Sequence, residues 1–96
     1  MIDVEKWCVE FELICEIMSK EVEKRKKVRA ELLEAYEKMW ELDEMCRNST
    51  TFDEYYEIQD KIDEQNKRIN NLETEYNKLD YTINILKQAR IDVLER

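Results

Sequence analysis

The feature that most narrows what this chain can fold into is an absence: its 96 residues include no glycine and no proline. Glycine supplies the positive φ of tight turns and helix C-termini, and proline breaks helices and opens turns. A sheet protein of this length needs several such turns, and nothing here takes them without strain. Charged residues are 42 % of the chain and hydrophobic residues 43 %, the mixture of coiled coils and long amphipathic helices. An all-α fold is expected, in a single domain spanning 1–96.

The second half carries the clearer periodicity. Tyr55, Ile58, Ile62, Gln65, Ile69, Leu72, Tyr76, Leu79, Ile83, Leu86, Arg90 and Val93 step by three and four, with only Gln65 and Arg90 polar. This is a heptad repeat with Tyr55 at a and Ile58 at d. The first half repeats it through Val4, Trp7, Phe11, Ile14, Met18, Glu21, Arg25, Val28, Leu32, Ala35, Met39, Leu42 and Cys46, faltering only at Glu21 and Arg25. A break in the first helix near 20–27 would turn two helices into three.

Between the halves, the "RNSTT" stretch ending at Thr51 interrupts both patterns. Thr51 and Glu54 have the spacing of a capping box, in which the Thr51 hydroxyl accepts from the Glu54 N–H and the Glu54 carboxylate accepts from the Thr51 N–H. Asp53 and Glu54 suit the positive end of a helix dipole. Asn48 is the residue best able to close the preceding helix in the left-handed conformation. At the other end Asp3 is placed as an N-cap, with Ile2 and Trp7 as a hydrophobic staple.

These signals predict an antiparallel two-helix coiled-coil hairpin: helix 1 over about 3–47, a turn near 48–51, and helix 2 over about 52–95. Folding there pairs residues whose numbers sum to about 97, which places a opposite d as an antiparallel coiled coil requires. Met39 then meets Ile58, Leu42 meets Tyr55 and Val28 meets Ile69. Arg90 falls over Trp7 for a cation–π contact, and Glu21 falls opposite the Tyr76 hydroxyl. On the flanks Lys24 lies near Glu75 and Arg29 near Glu73.

One seam does not use all the apolar residues. Leu33, Tyr36 and Trp40 form a second stripe on helix 1 near the turn, with Phe52, Tyr55 and Tyr56 beside it on helix 2. At the opposite end Cys8, Leu13, Cys15 and Ile17 join Ile85, Ile91 and Leu94. Exposed apolar patches of this kind mark interaction surfaces. The expected partners are a second copy, giving a dimer or higher oligomer as a four-helix bundle or longer helical assembly, or a different protein.

Charge and cysteine usage bound the chemistry. A net charge of −8 argues against direct nucleic-acid binding, which needs a basic footprint, and against an anionic membrane surface. No stretch approaches the ~20 apolar residues of a membrane span, and "MIDVEKWCVE" places acids where a signal peptide carries bases. Cys8, Cys15 and Cys46 include no Cys-x-x-Cys pair, and the chain has no histidine, so no zinc site is expected. Unpaired thiols suit a reducing cytoplasm, where they act as small hydrophobes.

Catalysis lacks its usual parts: no histidine, no glycine-rich phosphate loop and no nucleophile motif. Carboxylate pairs such as Glu41 with Glu44 arise at helical spacing in any chain with 24 acids. "KRKKVR" at 24–29 is a candidate phosphate contact, although Arg25 sits on the seam and its neighbours have acids nearby. Asn70, Asn77 and Asn84 form a polar stripe on helix 2, either surface or a hydrogen-bonding ladder against a partner helix.

The resulting expectation is a non-enzymatic interaction or assembly module, without cofactor or metal, that self-associates or docks through its apolar ends. A rival is a small acidic regulator, phage- or virus-encoded, that blocks a basic site on a nucleic-acid-handling protein. A weaker alternative is a small-ligand or nucleotide binder using the aromatic end.

Overall fold

The computed structural model describes residues 4–95. They form two α-helices, α1 (Val4–Arg47) and α2 (Phe52–Glu95), which pack against each other as a helical hairpin. α1 is unbroken through 20–27, so the polar run there does not split it. The proposed Asp3 cap and the Ile2 half of the staple lie outside the described residues. Contacts divide the chain into two compact units, each drawing on both helices. The turn unit is Val28–Glu75, and the terminal unit combines Met1–Lys27 with Tyr76–Arg96.

At the turn, the Glu54 N–H donates to the Thr51 hydroxyl at 3.2 Å, and the Tyr55 N–H makes the first helical bond to the Thr51 carbonyl. The reciprocal half of the box differs by one residue. The Glu54 carboxylate accepts from the N–H of Thr50 at 3.3 Å, not from that of Thr51. α1 also ends differently from the expected left-handed Asn48, since no described residue has positive φ. The Asn48 N–H continues the helical pattern to the Glu44 carbonyl. Ser49 then turns both its N–H (3.4 Å) and its hydroxyl (2.7 Å) onto the Cys46 carbonyl. A side-chain donor satisfies a carbonyl left over at the helix end, so a left-handed residue is not needed.

In the turn unit the seam is well covered. Val28, Leu32, Ala35 and Leu42 of α1 and Ile58, Ile69 and Leu72 of α2 are buried, matching the heptad lines that predicted them. Gln65 is buried among them, and its amide donates to the Ala35 carbonyl at 3.0 Å. A buried amide without such a partner would be strongly destabilising.

The register departs from the simplest reading. Cys46 accepts from Gln59, and Tyr36 donates to Glu73. In the terminal unit Arg25 reaches Asp80, and Trp7 reaches the Val93 carbonyl. Against the position that a sum of 97 assigns, the α2 partner lies three residues further on at Trp7, eight at Cys46 and Arg25, and twelve at Tyr36. A shift of a whole heptad preserves a opposite d, so the seam keeps its apolar line while individual partners change. Tyr55, expected to meet Leu42, is 42 % exposed.

The terminal unit is less completely covered. Ile83 and Val93 are buried, whereas Trp7, Phe11, Ile14 and Met18 of α1 are only half-buried. Trp7 stacks on Phe11, with ring centroids 5.5 Å apart, and its indole N–H donates to the Val93 carbonyl at 2.7 Å. Arg90 is therefore not the partner through which Trp7 is held. A ring four residues along the same helix and a backbone acceptor satisfy it instead. Arg25, which interrupts the apolar line, directs its guanidinium to Asp80 at 2.6 Å. Lys24 pairs with Glu21 of its own helix, and Lys26 with Glu23.

These differences in cover predict unequal costs of truncation. Ile83→Ala, at a fully buried site, is expected to lower unfolding stability by about 2–4 kcal/mol, and the exposed Ile85→Ala by well under 1 kcal/mol. Thr51→Ala, losing one cap bond, should fall between them at about 1 kcal/mol. Urea melts followed by circular dichroism check all three.

Candidate functional site

The six aromatic and apolar residues singled out near the turn all lie in the turn unit, and all are exposed. Trp40 is 78 % exposed, Phe52 81 % and Tyr56 64 %, with Leu33, Tyr36 and Tyr55 also open to solvent. Heptad positions explain this for all but Tyr55, which sits at a. Leu33 and Trp40 fall at b, Tyr36 at e, Phe52 at e and Tyr56 at b, all away from the a/d line. The bond between Tyr36 and Glu73 joins e positions of the two helices, which are neighbours on one flank of an antiparallel pair. Tyr55 and Tyr56 meet edge to face with centroids 5.8 Å apart.

These side chains stand in an acidic setting. Trp40 shares a surface depression with Glu37, Glu41, Asp43 and Glu44, and Arg47 is the one base there. Around the corner a groove of about 600 Å³ runs beside the turn, with Glu41, Glu44, Glu54 and Glu57 along it and Met45 and Lys61 between them. Acids are nearly even between the two helices but uneven between the two units. Residues 28–75 carry fourteen acids and six bases, so the whole net charge of −8 resides in the turn unit. Within it, residues 37–64 hold ten acids and three bases. The terminal unit carries equal numbers of acids and bases.

At the terminal end Cys8 and Cys15 are half-buried, and Leu13, Ile17, Ile85, Ile91 and Leu94 are exposed. Cys8, Cys15 and Cys46 are in no disulfide. The pattern reading missed Val9, Met45 and Tyr81, which are 63 %, 50 % and 69 % exposed. Val9 and Tyr81 both fall at f, opposite the seam, and the heptad register alone was enough to flag them. Val4 occupies a yet is 67 % exposed, which no periodicity reveals. Asn70, Asn77 and Asn84 are all exposed.

Three of the five bases of "KRKKVR", Lys24, Arg25 and Lys26, each contact an acid. Among the described residues no group of three or more Cys, Asp or Glu side chains is arranged to hold a metal ion, and no helix is long and apolar enough to cross a membrane. Taken together, the features present are hydrophobic and electrostatic surfaces. No family model, curated protein or solved structure matches this chain.

One titration reports on the turn flank. Hydrogen bonding to Glu73 is the main reason that the Tyr36 phenol is held above its usual pKa, with desolvation and the carboxylate charge adding to it. Ionising Tyr36 removes the donated proton and sets two negative groups together. The bond therefore supports the fold at neutral pH, and this support is lost as pH rises through the raised pKa. Glu73→Gln is expected to bring the Tyr36 transition back toward the ordinary tyrosine range, as read by tyrosinate absorbance with Tyr36→Phe as the blank.

Proposed function

We propose that this protein is a non-enzymatic interaction and assembly module of a reducing cytoplasm, using no cofactor and binding neither nucleic acid nor membrane directly. It associates with a second copy of itself, or with another protein, through the apolar surfaces at the ends of the hairpin. The observation that carries this reading is the unfinished cover of the terminal unit. Its α1 seam residues are only half-buried, and Ile85, Ile91 and Leu94 stand exposed beside them. That unit carries no net charge, so electrostatic repulsion does not oppose pairing of two copies there.

Surface area supports the same reading. The chain exposes 7805 Å², about a third more than the ~5,900 Å² that size scaling gives a compact monomer of this mass. A standard interface removes about 800 Å² from each partner, which the exposed surface readily supplies. A four-helix bundle formed over the terminal unit would complete a core that two helices alone leave open.

Light scattering at two concentrations, with reductant present, tests this. A mass above the 11.8 kDa chain that rises with concentration is expected. Ile91→Ser with Leu94→Ser should shift it toward the monomer by about tenfold in dissociation constant. A strict monomer at both concentrations would reject self-association and leave the end patches to a different protein.

A further inference from the structure

We infer that the turn end is a docking surface for an arginine-rich segment of another protein, and not for a second copy of this chain. The inference rests on the reading of the chain as an interaction module and assigns one of its two ends. Trp40, Phe52 and Tyr56 are among the most exposed large side chains of the molecule. Leu42 and Ile58 of the seam are buried without them, and the ring contact made among the three is that of Tyr56 with Tyr55. Large aromatic side chains held open on a finished scaffold have the character of interface anchors.

Charge selects the occupant. Residues 37–64 carry a net −7 from ten acids and three bases, and four carboxylates rim Trp40. Bringing two such surfaces together would set like charges face to face inside a contact, where they lie well within the ~8 Å screening length of physiological salt. A nucleic-acid backbone meets the same repulsion. A basic protein segment meets net attraction. Arginine suits the site better than lysine, because its planar guanidinium stacks on an aromatic face while its edge donates to carboxylates. The Trp40 depression offers both, a ring with Glu37, Glu41, Asp43 and Glu44 around it. Arg47 lies in the same depression and leaves the balance strongly acidic.

The test uses the full chain and a fluorescently labelled helical peptide of arginine and leucine, with a glutamate-for-arginine peptide as control. The arginine peptide is expected to bind and the control not to bind. Affinity should fall steeply with salt, and about tenfold or more in Trp40→Gln and in Tyr56→Gln. Both changes leave the charge untouched and lie at exposed sites, and thermal melts confirm that the fold persists. Ile91→Ser and Leu94→Ser should leave peptide affinity unchanged. Failure of the arginine peptide to bind, or binding unaffected by Trp40→Gln and Tyr56→Gln, overturns the assignment. Light scattering on the same samples separates this from the broader reading. A mass that falls in Trp40→Gln would place a second copy at the turn end and overturn the inference. Oligomers that persist without peptide binding would end the inference and leave the assembly reading standing.

Discussion

A single line of contact between two helices limits how much this chain can bury, and the rest of the structure follows from that limit. Each helix turns only its a and d residues toward the other, so every apolar side chain at b, c or f lies outside whatever the seam does. The turn unit still closes its seam well, with Val28, Leu32, Ala35 and Leu42 against Ile58, Ile69 and Leu72. The terminal unit, built on the same repeat, leaves Trp7, Phe11, Ile14 and Met18 half-covered. Identical periodicity therefore gives unequal burial, because Glu21, Arg25 and Arg90 take seam positions in the terminal unit.

Those polar residues have a second consequence. An apolar a/d line is satisfied equally by registers one heptad apart, since each places a opposite d. Apolar contacts are non-directional and do not distinguish them. Directional groups do. Gln65 must find an acceptor inside the seam and finds the Ala35 carbonyl, while Arg25 must find an acid and finds Asp80. These are the partners at the observed alignment of each unit. Polar side chains in a coiled-coil seam act in this way elsewhere, lowering stability while specifying register.

The same distinction explains what was legible from the residues. Helix type, the place of the turn and the buried positions from Val28 to Leu72 all follow from periodicity and composition, which are local and non-directional. The partner across the seam was misplaced because two alignments fit the apolar pattern, and the choice between them depends on where particular hydrogen bonds can be made. The cap of α2 was legible at Thr51, yet its second bond moved to Thr50, within reach of one flexible glutamate side chain. The end of α1 was not legible, because Ser49 competes with Asn48 for the same task and the sequence ranks the conformations without seeing the acceptor. Of the surface, Trp40, Phe52 and Tyr56 were legible as off-seam residues. Their acidic setting was missed because acids counted by helix divide nearly evenly, whereas a count across the turn, over 37–64, shows it.

That gathering bears on how one small chain could carry the two proposed interaction surfaces without aggregating. Two apolar patches on one chain, each able to pair with either, would favour open-ended association, since a heterologous contact that does not close propagates into a filament. Placing the entire net charge in one unit opposes one of these pairings, that of turn end with turn end. Turn ends repel one another, whereas terminal units of balanced charge do not. On the proposed reading, a contact between copies would be favoured at the terminal unit, where charge does not oppose it. The aromatic rings at the other end then remain available in an environment that favours a cation and disfavours a second copy. On that reading, hydrophobic area would supply adhesion at both ends, and the distribution of charge would decide what each end adheres to.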